Sequence, residues 1–231
     1  MTEWFFLWIS IMTIFVINAY PERRKKYDEN YTMFPAVLAK DVKDEDIARY
    51  DFIHTTKDEL RRNVVACSLS HKKLMRHIVD NNLYNNIIIE DDAIINMDEL
   101  YKLNGCESFT YIGGDIMPPK MNMKDWKNDI ESVDGINIIN PKKFIIMGGH
   151  GYYIPSPEVA LTLLDNIPFT KMEKAIDLEF KKLQKAEIIK HYIYPAISTL
   201  ITEEANKGFS ATINSARYKF SEKRYYETSF C

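Results

Sequence analysis

Three consecutive carboxylates, Glu90-Asp91-Asp92, follow directly on the apolar run Ile87-Ile88-Ile89. A short run of this kind marks a strand buried on both faces. Acids at the carboxyl end of such a strand stand where open α/β sheets bind ligands. Like charges this close repel unless something positive lies among them. A divalent cation meets that need. Mn2+ or Mg2+ takes one or two carboxylates and completes its shell with phosphate oxygens and water. The chemistry so defined is the departure of a diphosphate, with the metal stabilising the charge that grows on its oxygens. Glu90, Asp91 and Asp92 are therefore candidate metal ligands, and the alternative is a plain acidic turn after a strand.

Other residues extend this set. His150 follows Gly148-Gly149 at the end of a second apolar run, and is either a further metal ligand, a phosphate contact or a polar loop histidine. His71 lies on the apolar face of a helix, which favours a satisfied structural histidine that orients Ser70 or the acidic loop over a ligand. Asp177 stands at a helix start, where the dipole favours a carboxylate. It is either a first-turn acid or the general base that takes a proton from an acceptor hydroxyl. Arg23 and Arg24 follow the first strand closely and are placed to pair with phosphates, or simply open a basic exposed helix. Asp115, after Gly113-Gly114, is a weaker candidate for contact with the donor.

These residues need elements to position them. Thr13 to Ile17 is a β-branched apolar run, stopped at Asn18-Ala19-Tyr20-Pro21, and predicts a buried first strand. The charged stretch Glu22 to Asn30 after Pro21 predicts an exposed helix. Phe34 to Val37 predicts a second strand and Asp44 to Tyr50 a short helix. Val64, Cys67, His71, Leu74 and Ile78 define one face of a helix over 64–81. Phe109 to Ile112 and Phe144 to Met147 predict strands, each ended by a glycine pair, with Tyr152 to Ile154 pairing nearby. Ser156-Pro157-Glu158 is a helix start. Ile176, Phe180 and Leu183 define another helix, and Ile188 to Tyr194 a last strand. The stretch 116–142 is irregular, and a loop that long is usually functional. Strands alternating with helices predict an α/β fold with a mostly parallel sheet.

Composition bounds the rest. With 46% hydrophobic and 27% charged residues, the 231-residue chain is a folded domain rather than a disordered one. Thirty basic against 33 acidic side chains give a net charge of −3, so no field draws nucleic acid. Cys67, Cys106 and Cys231 are too few and too scattered for a disulfide framework or a zinc motif, and read as reduced thiols of a cytoplasmic protein. The apolar run Trp4 to Ile17 is short for a membrane span and lacks a basic leader. Residues 1–11 are read as a hydrophobic extension. The alternative is weak membrane association through residues 4–11, or a signal anchor.

Taken in order, several segments resemble glycosyltransferase family 25, the lipopolysaccharide glycosyltransferase and procollagen galactosyltransferase family. They are Ile14 to Asn18 with Pro21 to Arg24, Ala66-Cys67-Ser68-Leu69-Ser70-His71, Ile87 to Ala93, and Gly149 to Leu164, with Asp177 beyond. Ala66 stands where the family usually has glycine. The resemblance implies a GT-A type fold over residues 12–200, followed by a tail at 201–231. It also implies a UDP-sugar donor, often UDP-galactose, an inverting reaction, and Mn2+. Asp92 and Asp91 would hold the metal, Asn18 and Arg23 would lie near the nucleotide, and a glycan or glycoprotein hydroxyl would be the acceptor. A nucleotidyltransferase is the rival enzyme, but the turn after the first strand has no glycine-rich phosphate loop. A non-catalytic relative that binds a sugar nucleotide or a partner protein is the third reading.

Overall fold

The computed structural model describes residues 12–49, 58–117, 131–133, 136–140, 145–167, 175–193 and 196–200. The extension 1–11, Phe144, most of 116–142 and the tail 201–231 lie outside the described residues.

The first strand, β1 (Thr13–Asn18), pairs in parallel with β2 (Tyr31–Pro35) on one side and β3 (Asn86–Glu90) on the other. A strand flanked on both edges and covered on both faces has no wet side, which is why Ile14 to Ile17 are all buried. Phe15 and Ile17 face one core, with Val65, Ala66, Leu74, Met75 and Ile78 of a helix that runs Asp58–Asp80. Ile14 and Val16 face the other, with Ile87, Ile89, Leu100 and Leu103. That second layer is built from β4 (Ala93–Ile95) and a 3-10 helix at Met97–Leu103, neither of which the apolar periodicity announced.

In chain order, α1 is Asp44–Ile47, α2 is Asp58–Asp80, α3 is Pro157–Asn166 and α4 is Ile176–Lys185. The Ser156 hydroxyl accepts from the Val159 amide and Pro157 takes the first turn of α3, as the Ser-Pro-Glu sequence predicts. After Pro21 the helix is a 3-10 segment, Pro21–Lys26, shorter than the charged stretch suggested.

The remaining strands are β5 (Thr110–Met117), β6 (Glu131–Val133), β7 (Ile136–Ile138), β8 (Ile145–Ile154), β9 (His191–Tyr192) and β10 (Ser198–Leu200). The large sheet runs β2-β1-β3-β8-β5-β9-β7-β6, and β4 pairs with β10 separately. The architecture is α/β, consistent with a GT-A-like fold. Parallel pairing joins β2, β1 and β3, and again β5 and β9, while β8 enters antiparallel between β3 and β5.

Two expectations about glycine change. The pairs Gly113-Gly114 and Gly148-Gly149 do not end strands but lie inside β5 and β8. The ladder between these strands shifts register at Tyr111/Gly113 and again at Gly113/Asp115. A Cβ on Gly149 would sit 2.6 Å from Cε1 of Tyr111. These glycines mark bulges and close ring approach rather than turns. Among the described residues of 188–194, only His191 and Tyr192 form a strand.

Candidate active site

β1 and β3 are neighbours in register, with Ile17 opposite Glu90. Their carboxyl ends therefore emerge together, and the loop Asn18-Ala19-Tyr20 lies against the acidic turn. Asp91 joins the two. Its Oδ2 accepts from the Ala19 amide at 2.8 Å, the Tyr20 amide at 3.0 Å and the Asn18 side-chain amide at 3.4 Å. Arg23 Nη1 donates to Oδ1 at 2.5 Å. The Arg23 guanidinium also lies 4.5 Å from the centre of the Tyr20 ring. Asp91 is only 5% exposed. A buried charge survives where it is paired and hydrogen-bonded, and both conditions hold.

This geometry amends the sequence argument. Repulsion among the three acids does not wait on a cation alone. Arg23 supplies a positive charge to Asp91, and Glu90 and Asp91 turn to different partners. Glu90 turns towards α2, where its Oε1 lies 3.7 Å from His71 Nε2. Asp91 turns into the β1 loop. Asp92 acts with Asp91 on Lys26 and Tyr27. Burial and the Arg23 charge hold the Lys26 ammonium below its ordinary pKa, against the opposing pull of Asp91 and Asp92. Burial and the same two carboxylates push the Tyr27 phenol up. The Tyr27 hydroxyl donates to the Ala93 carbonyl at 2.8 Å, pinning the far end of the turn. Sequence reasoning gave Tyr27 no role, because an aromatic at the end of a charged stretch has no pattern of its own.

The other candidates are placed differently. Arg24 is exposed and lines a surface hollow with Tyr27, Asp28, Glu29, Tyr31 and Met33. His150 lies one residue beyond the last pair of the β3–β8 ladder, Ile89 with Gly151, so its strand does adjoin the acidic one. Its ring is turned to β10, where Nε2 donates to the Ser198 carbonyl at 3.1 Å. The space it occupies exists because Gly113 has no Cβ; one there would lie 2.5 Å from His150 Nε2. Asp115 lies opposite Met147 in β5, and its side chain is outside the described residues. Asp177 is buried in the first turn of α4, and its charge, after burial, helps push the Tyr111 phenol well up. Gln184, one face further along α4, locks that helix to β8: it accepts from the Ile146 amide and donates to the Ile146 carbonyl, both at 2.8 Å.

His71 is buried and partnered, as expected of a structural histidine, but it does not orient Ser70. Ser70 turns away from it, accepting from the Val37 amide and donating to the Ala66 carbonyl. His71 itself contacts Tyr152 through Nδ1 at 2.5 Å and faces Glu90 through Nε2.

Residues 12–180 match the model of glycosyltransferase family 25 (LPS biosynthesis protein). The chain belongs to this family. Among curated proteins nothing matches. The matched span of this glycosyltransferase runs from β1 into α4. It thus contains the loop held by Asp91, the acidic turn and Asp177. No helix among the described residues is long and apolar enough to cross a membrane.

Proposed function

We propose that the chain transfers galactose or glucose from a UDP-sugar to a hydroxyl of a glycan or protein acceptor, with inversion and with Mn2+ or Mg2+. The observation that carries this reading is Asp91 binding two backbone amides, Asn18 and Arg23 at once. A loop fixed in that way, beside an acidic turn at the carboxyl ends of two parallel strands, is a preorganised ligand platform.

The donor set fits a hard cation, because Asp91 and Asp92 offer carboxylate oxygens and no soft atoms. Since both oxygens of Asp91 are engaged in hydrogen bonds, Asp92 would be the leading ligand, with Asp91 beside it and His150 a more remote candidate, while Glu90, first counted with them, is turned to His71 on α2. When bound, the ion supplies positive charge against that growing on the departing diphosphate. The chain's own contribution is positional. Asp91 holds the Asn18-Ala19-Tyr20 backbone against the nucleotide side. Arg23 and Lys26 add positive charge for phosphate oxygens next to the acidic turn. Asp177 is the acid assigned to take the acceptor hydroxyl proton as that oxygen attacks the sugar carbon.

The deciding experiment incubates the full chain with a panel of UDP-sugars and Mn2+, and follows UDP release and acceptor mass. Metal-dependent release with one favoured donor is the expected result. Nucleotide binding without turnover on any donor would replace the enzyme by a binding protein.

A further inference from the structure

Away from the β1 loop, a second group of side chains gathers between α2 and β3. Cys67 and His71 are four residues apart on α2 and so share one face. Glu90, at the end of β3, reaches across to them. One ligand-capable atom from each of the three lies within 4.8 Å of the others. We propose that Cys67, His71 and Glu90 form a zinc site distinct from the oxygen-lined acidic turn.

The chemistry of the three atoms argues for this. Thiolate, imidazole and carboxylate together select zinc over the hard cations, which take oxygen alone. The spacing agrees. His71 Nε2 and Glu90 Oε1 are 3.7 Å apart. Two ligands on one tetrahedral zinc ion stand about 3.3–3.6 Å apart, given metal–ligand bonds of about 2.0–2.3 Å.

The support around His71 agrees as well. A histidine that binds metal through one nitrogen usually has the other held by a hydrogen bond. Here Nδ1 is held by the Tyr152 hydroxyl at 2.5 Å, which leaves Nε2 facing Glu90 and Cys67. Tyr152 is itself fixed, stacked on Phe109 with ring centres 5.0 Å apart. His71 is 3% exposed, whereas Cys67 and Glu90 are half-buried, so an ion and a fourth ligand such as water have a path in. Three protein ligands joining a helix to a strand end would fasten Glu90, and with it the root of the acidic turn, to α2.

The test uses the full chain, stripped of metal and titrated with Co2+ alone and then with Zn2+. One equivalent of cobalt is expected to give a sulfur-to-cobalt charge-transfer band with the intense visible bands of a tetrahedral ion, and zinc to displace it. Cys67→Ser should lose the charge-transfer band and bind zinc at least about tenfold more weakly, while Asp92→Ala keeps both. Zinc at a hundredfold excess over its dissociation constant should raise the wild-type melting temperature by about 5–10 °C. In the unsubstituted chain, zinc should also protect Cys67 from alkylation, read by peptide mass, which serves if Cys67→Ser fails to fold. Cobalt bound without a sulfur band, or Cys67 alkylated at the same rate with zinc present, would overturn the site. Because Asp92→Ala separates the two metal positions, loss of this site leaves the sugar-transfer reading standing, and the converse also holds.

Discussion

Asp91 and Arg23 form a 2.5 Å ion pair that links the end of β3 to the 3-10 helix after β1, with only 7% and 14% of their side chains exposed. Removing one member of a buried, hydrogen-bonded pair costs more than the pair contributes, because the survivor keeps its desolvation penalty. Arg23→Met should therefore destabilise the chain by about 3–5 kcal/mol. Asp91→Ala, which takes the shared acceptor from four donors, should cost about 2–4 kcal/mol. Urea unfolding of the two variants checks both figures. Losses below 1 kcal/mol would show that the β1 loop holds itself.

In the proposed mechanism Asp92 leads in metal binding. Asp92→Ala should lower metal-dependent kcat/KM by about a hundredfold to a thousandfold or more. The variant should still unfold cooperatively in urea, because the Ala19 and Tyr20 amides end on Asp91, which it keeps. Normal turnover by this variant with added Mn2+ would remove the metal assignment.

Asp177→Asn tests the proposed base. The change keeps shape and removes the proton acceptor. The expected result is a fall in kcat of about a hundredfold to ten-thousandfold with little change in donor KM. An unchanged kcat would return Asp177 to the role of a helix-start acid.

Alkaline stability has a definite sign. Burial pushes the Cys106 thiol from its ordinary value of 9.0 to about 11, against a weaker opposing hydrogen bond with Thr110. The fold therefore favours the protonated thiol. That stabilisation is complete below pH 9 and is lost as pH rises through about 11. Tyr111 and Tyr152, also pushed up by burial, add a loss of the same direction at higher pH. Between pH 9 and 11 the urea midpoint of wild type should fall more steeply than that of Cys106→Ala. Parallel curves would assign the alkaline loss to the tyrosines alone.

The bulged contact between β5 and β8 should tolerate no added carbon at Gly151. A Cβ there would lie 2.8 Å from Cβ and Oγ of Ser198 and 3.2 Å from Cγ1 of Ile112. Gly151→Ala is expected to cost about 1–3 kcal/mol, and adding Ser198→Gly should recover much of it. Equal stability of the single and double variants would place the strain elsewhere.

Local pattern made much of this legible. Unbroken β-branched runs at Ile14 to Ile17 and Ile87 to Ile89 identified buried strands, because a strand covered on both faces shows no alternation. The cap at Ser156-Pro157 marked α3 for an equally local reason. The glycine pairs misled, since the same residue serves a turn or a bulge and only the neighbouring strand decides which. By itself, then, the sequence determined that a carboxylate-bearing turn follows a buried strand, and with its other segments it identified the family. Which partners Glu90 and Asp91 meet was decided by tertiary structure. Glu90 and Asp91 are adjacent in the chain, yet one turns to His71 on α2 and the other to Arg23 and the β1 loop. Successive side chains leave a strand end towards opposite faces, and what waits on each face comes from segments far away in the sequence.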